Sequence, residues 1–187
     1  MNVSSISRMP FSPAGVWREL AHVDSTVRRT FWRVVVPLSL LPPAMIYLAG
    51  RLHGGALVGG FGGGAWGPMA ALFFLCEIAS VTLMAWLVRR VAGAWEVPID
   101  DRDAYVLAAV AAVPLWLSSL GLLVPSAAIN VALAAVALTL SFALLLQGVR
   151  SFCTNDVEGL ARALDVSRLV FAGGLGAWGF LLLLLYV

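Results

Sequence analysis

Residues 104–124 read AYVLAAVAAVPLWLSSLGLLV and, after Pro125 and Ser126, residues 127–147 read AAINVALAAVALTLSFALLLQ. No charged side chain occurs between Asp103 and Arg150. A helix crosses the hydrocarbon core of a bilayer with about 20 predominantly apolar residues. The stretch is therefore long enough for two crossings, divided at Pro125. Working outward, three further apolar runs cover residues 31–50, 68–88 and 169–187. Backbone polar groups inside a bilayer must be satisfied within the spanning structure, which favours helices. The expected fold is all-α: a polytopic membrane bundle of five transmembrane helices over residues 31–187, preceded by a segment of residues 1–30 with a short amphipathic helix.

Composition agrees. Of the 187 residues, 61% are hydrophobic and 12% charged, and the mean hydropathy is +0.94. A soluble domain has about 45–50% apolar and about 25% charged residues. A separate soluble catalytic domain and a disulfide-stapled secreted fold are excluded. A net charge of +2 likewise gives no basis for nucleic-acid binding. Cys76 falls in an apolar run and Cys153 in a polar connection, so both are expected to be free thiols.

Arginine placement predicts orientation. Every basic residue is arginine, a bias that points to a GC-rich, bacterial genome. All but Arg51 lie before the first run (Arg33 at its leading edge), between the second and third, or between the fourth and fifth. The positive-inside rule then puts the N-terminus in the cytoplasm and the C-terminus outside, in a bacterial inner membrane. The first 30 residues lack the continuous apolar core of a cleavable signal and are expected to be retained.

Helix-end signals refine the map. Asp100, Asp101 and Asp103 stand where carboxylates cap free amides and meet the positive end of the third helix. Asn155 with Glu158 reads as a capping box, opening a short amphipathic helix on the cytoplasmic surface with Val157, Leu160, Ala161 and Leu164 on one face. Upstream, Ser12 and Pro13 start a helix in which Val16, Leu20, Val23 and Val27 recur beside Trp17, with Arg18, Arg28 and Arg29 on other faces. This suits an interfacial helix or one docked on the bundle. Its named residues are Trp17, Leu20, Arg28 and Arg29.

Glu77 is the only ionisable residue well inside an apolar run. An intramembrane charge costs about 2.5–3.5 kcal/mol on insertion scales, so a neutral, hydrogen-bonded carboxyl is expected at pH 7. Pro42, Pro43, Pro114 and Thr139 fall near the midpoints of their own spans and are expected to form one layer with it. Each proline removes an amide and frees a carbonyl one turn back, such as that of Val110. Glu77 could donate to such a carbonyl or to Thr139, carry a proton or ion, or contact a partner.

The remaining patterns carry less chemistry. Gly62, Gly64 and Gly67, and Gly174, Gly176 and Gly179, match a dinucleotide-binding spacing but follow no strand. The glycine-rich stretch from Gly54 to Gly67 reads as a loop. Gly173 with Ala177, Ala172 with Gly176, and Ala104, Ala108 and Ala112 are small-residue pairs that let helices approach, within the bundle or between copies. The acids at 100–103 are caps rather than a cation site, His22 and His53 build no zinc site, and no catalytic constellation, cofactor or metal is expected.

The run Ser12-Pro13-Ala14-Gly15-Val16-Trp17, then Val36-Pro37-Leu38 and Leu41-Pro42-Pro43, resembles the Yip (Ypt-interacting protein) family of membrane proteins. Tyr105 to Leu117 with Pro114, Leu122-Leu123-Val124-Pro125, and Leu144 to Val149 with Gln147 resemble its third and fourth spans. The resemblance covers roughly residues 10–187. It implies a five-helix membrane domain with a cytoplasmic N-terminus, and makes Tyr105 and Pro114 family-pattern positions of structural role. Eukaryotic relatives bind Rab-type GTPases, a role not carried over to a chain without their long N-terminal region. The expected function is non-enzymatic: organising membrane by binding lipids, another membrane protein or a second copy. The alternatives are a small transporter or channel component using Glu77, and an intramembrane lipid enzyme.

Overall fold

The computed structural model describes residues 30–57 and 66–186. The expected interfacial helix, with Trp17, Leu20, Arg28 and Arg29, lies outside them, as does most of the glycine-rich stretch.

The described residues are helical without strands. A π-helical turn, Phe31–Val35, leads into the short helix α1 (Val36–Ser39) and then α2 (Leu41–Leu57). After these come α3 (Trp66–Ala94), α4 (Asp101–Ser118) with a closing 3₁₀ turn at Ser119–Leu123, α5 (Ala127–Arg150) and α6 (Val157–Tyr186). Four helical stretches are long and apolar enough to cross a membrane: Phe31–His53, Trp66–Ala94, Asp101–Leu123 and Ala127–Arg150. They match the first four expected spans, each extended at one or both ends except the third, which keeps its length within a few residues. Helix α2 kinks at His53, where the backbone leaves helical geometry (φ −136°, ψ 15°), and residues 54–57 form one more helical turn beyond the kink, so the expected loop begins later than glycine content suggested.

The amphipathic segment before the last apolar run is not a separate surface helix. Val157 to Tyr186 is one continuous helix, because nothing between Leu164 and Leu169 breaks it and both Val166 and Val170 bury completely. Its cap also differs from the expected box at Asn155. The Asp156 carboxylate accepts the Gly159 amide at 2.7 Å and the Thr154 hydroxyl at 2.7 Å, while Glu158 pairs with Arg162 at 3.7 Å. These two hydrogen bonds to the charged form, hydroxyl first, hold the Asp156 carboxyl below its ordinary range.

At the other polar connection the expected cap forms: Asp100 Oδ1 accepts the Asp103 amide at 2.7 Å. Just before it, α3 ends in a Schellman arrangement, with Val97 N–H donating to Ala92 O at 2.9 Å and Glu96 N–H to Gly93 O at 3.4 Å. Glu96 occupies the left-handed position there, at φ 56°, where glycine is the usual occupant. Val97 tucks into the core at 4% exposure.

Helix α4 is the axis of the bundle. Its span is 44% buried, against 22–28% for the other three. One face, with Val106, Leu107, Val110 and Ala111, joins Val88, Leu145, Val149 and Val166. The opposite face, with Tyr105, Ala108, Ala109, Val113 and Trp116, joins Val35, Val81 and Ala85. A helix apolar all round is one buried all round. The alanine stripe permits this: Ala104 and Ala108 are buried to 3% exposure or less, so that stripe packs inside the bundle.

Candidate functional site at the middle of the bundle

Glu77 lies on the inward stripe of α3, with Ala70, Val81, Ala85 and Val88. Its residue exposure is 8%, and its Oε2 is buried with no hydrogen-bond partner among the described residues. The hydrogen bond that the sequence leads one to expect is thus not made at Oε2.

The layer around it differs from the expected one. Thr139 points away on the exposed side of α5, where its hydroxyl donates back to Ala135 O at 2.9 Å. The expected pairing with Glu77 is therefore absent. Helical spacing decides this: Ala137, Ser141, Leu144 and Leu145 form the buried side of α5, and Thr139 falls off it. Pro42 and Pro43 are buried, but in the first turn of α2, where amides lack intrahelical partners anyway. They mark a break after α1 rather than a kink within a helix. Pro114 does sit inside α4, half-buried.

Two serines supply what the sequence reading missed. Ser39, fully buried, ends α1 and donates to Val36 O at 3.2 Å. Gly50 abuts the Trp66 ring, where α2 packs on the start of α3. Ser141, 2% exposed, reaches from α5 to α4 and donates to Ala111 O at 2.6 Å. Ala111 lies next to Val110, whose carbonyl loses its usual amide donor to Pro114. The hydroxyl thus ties a neighbouring helix to the proline-disturbed turn. Its signal in the sequence was a lone polar residue on the buried spacing of an apolar run. Ser141→Ala is expected to destabilise the bundle by about 0.5–1.5 kcal/mol, read from unfolding in mixed detergent; no change would mean that Ala111 O is satisfied without it.

At the arginine-rich end, Arg89 Nε meets Asp101 Oδ1 at 3.3 Å, and the Arg90 guanidinium lies 5.6 Å from the centre of the Trp86 ring. Nearby, Cys153 is a free thiol, as is Cys76. Burial pushes the Cys153 thiol up, and the charges of Arg162 and Arg150 oppose that only in part. It is thus a poor nucleophile at neutral pH. No group of three or more His, Cys, Asp or Glu side chains gathers among the described residues.

With four membrane-crossing helices among the described residues, one of them buried at the centre of the bundle, the chain is a multi-pass membrane protein, and its sequence matches the Yip1 domain model over residues 8–187. It belongs to the Yip1 domain family. The match spans nearly the whole chain and includes every position at which resemblance was read, Pro42, Pro43, Tyr105 and Pro114 among them. No curated protein and no solved structure shows significant similarity to it. In this Yip1 domain Tyr105 is 8% exposed and packs in the cluster that holds Val35 and Trp116.

Proposed function

We propose that this Yip1-domain protein is a non-enzymatic, five-span membrane protein whose last helix docks laterally against another transmembrane helix, of a partner or of a second copy, and so organises the membrane around it. The observation that carries this reading is the two-sided use of small residues on α6. Gly173 and Gly174 face α3, against Leu87 and Met84. A β-carbon at Gly176 or Gly179 would meet nothing within 4 Å among the described residues, and with Ala172 the two glycines form an exposed small-residue face beside Leu175, Phe180 and Leu183. Helices in lipid associate where small residues let backbones approach. The arginine distribution supports a cytoplasmic N-terminus in a bacterial inner membrane, with residues 169–187 as the fifth crossing. Lipid would cover the remaining apolar exterior, such as Leu75 and Val131, exposed at 63% and 69%.

A photo-crosslinking residue at Leu175 tests the proposal in living cells. One protein adduct, to a partner or to the chain itself, is expected, reduced at least tenfold in a Gly176→Leu, Gly179→Leu variant whose internal packing is untouched. Lipid adducts alone, or an adduct indifferent to the two leucines, would refute it.

A second reading, a small carrier or channel component working through Glu77, is favoured by the buried Oε2 without a partner among the described residues. Intramembrane carboxyl groups mark ion and proton paths.

A further inference from the structure

The end of α3 forms a cleft of about 550 Å³ lined by Trp86, Arg89, Arg90, Gly93, Ala94 and Asp101. We propose that this cleft holds the phosphate of an anionic phospholipid headgroup, with Arg90 and Arg89 as its ligands.

The depth is right. Arg89 and Arg90 follow immediately on the apolar run 68–88, and Trp86, 54% exposed, sits one turn inside them. Tryptophan at this level marks the zone where headgroups begin. Cleft size also fits, since small-molecule sites measure about 300–1,000 Å³. Gly93 contributes the opening: a β-carbon there would lie 3.7 Å from Arg89 Nη1, so the missing side chain leaves that guanidinium edge facing free space.

Charge selects the ligand. Two guanidinium groups and the Asp101 carboxylate leave the cleft with one net positive charge. Asp101 engages Arg89 through Nε, one of five N–H donors in that group, and its own side chain is 92% exposed, so the ion pair is screened by water. Arg90 is held over the Trp86 ring, which restrains a flexible side chain without consuming its N–H donors. A planar fork presented this way matches phosphate oxygens two at a time. The carbonyl end of α3 opposes an anion by a partial charge of about half a unit, less than the cleft's net charge. Basic clefts between membrane helices bind phospholipid headgroups on these terms. The inference needs only the multi-pass character of the chain and is independent of what α6 contacts.

The test uses the purified full chain in neutral detergent, titrated separately with short-chain phosphatidylglycerol, short-chain phosphatidylcholine and inorganic phosphate. Thermal unfolding is the readout. Phosphatidylglycerol is expected to raise the midpoint saturably. Arg90→Gln and Gly93→Leu, both at exposed positions, should weaken its apparent Kd at least tenfold, while Arg51→Gln at the other end of the bundle leaves it unchanged. Equal affinity in wild type and Arg90→Gln would overturn the proposal, as would equal response to phosphatidylcholine. An equal response to inorganic phosphate would overturn the lipid as source and leave a soluble anion. Retention of phosphatidylglycerol over phosphatidylcholine by the wild-type chain in native mass spectrometry supports the proposal without any variant, and equal retention counts against it.

Discussion

Glu77→Met is expected to raise the stability of the folded protein by about 1–2 kcal/mol. The direction follows from what the carboxyl meets. It is almost wholly buried, and Oε2 has no hydrogen-bond partner among the described residues. A buried polar atom without a partner costs about 1–3 kcal/mol, and methionine has similar length with a flexible apolar tip suited to irregular gaps. The unfolded chain in denaturing detergent solvates the carboxyl, so removing it relieves a penalty present only in the native state. Glu77→Gln should not gain this way, since its amide keeps a polar atom in place of the unpartnered oxygen. Unfolding in graded denaturing detergent measures both variants. A loss of stability in Glu77→Met would show that the carboxyl is satisfied in the native protein and would overturn this expectation.

The same variant separates structure from transport. If Glu77 carries protons, Glu77→Met and Glu77→Gln both abolish flux in proteoliposomes although the first is the more stable protein. Flux equal to wild type in both removes the carrier reading and leaves a carboxyl with no task in transport.

Gly50→Ala is expected to destabilise the bundle by about 1–2 kcal/mol. Two effects compete. Alanine in place of a helical glycine gains about 1 kcal/mol in propensity, but a β-carbon at Gly50 would fall within the indole of Trp66, itself 6% exposed. Overpacking of this kind costs about 1–3 kcal/mol and occasionally more, and here the obstacle is a rigid ring rather than the end of a flexible chain, so the clash wins. Trp66→Ala alone should cost about 3–5 kcal/mol through the cavity it leaves. In the double variant the two losses should fall short of their sum by at least about 1 kcal/mol, because the new methyl group enters that cavity. Simple additivity would mean that Gly50 and Trp66 do not share the contact.

The contrast between Thr139 and Ser141 shows where reading the sequence stopped. Both are hydroxyl residues in one apolar run of α5, two positions apart. Depth along the chain could not say which faces inward, because a run apolar on every side carries little angular information. Only the contact with α4 separates them, turning Ser141 to Ala111 O and Thr139 to the outside. Pro42 and Pro43 pose a similar problem. Their depth suggests a kink, while the local chain stops one helix at Ser39 and starts another at Leu41, so the prolines sit where helices accept them.

Sequence by itself determined that the chain crosses a membrane as helices, where four of those crossings lie, that Asp100 caps the third, and that Glu77 is the buried acid to explain. Those features follow from hydrophobic run length, charge and local capping, which act over a few turns of a single chain segment. Tertiary structure decided that α4 is the axis, that Ser141 rather than Thr139 bridges helices, that the last amphipathic segment and apolar run form one helix, and that Arg89, Arg90, Trp86 and Asp101 surround one cleft. Each of these depends on the angle at which one helix meets another. That angle is set by side-chain packing between segments distant in sequence.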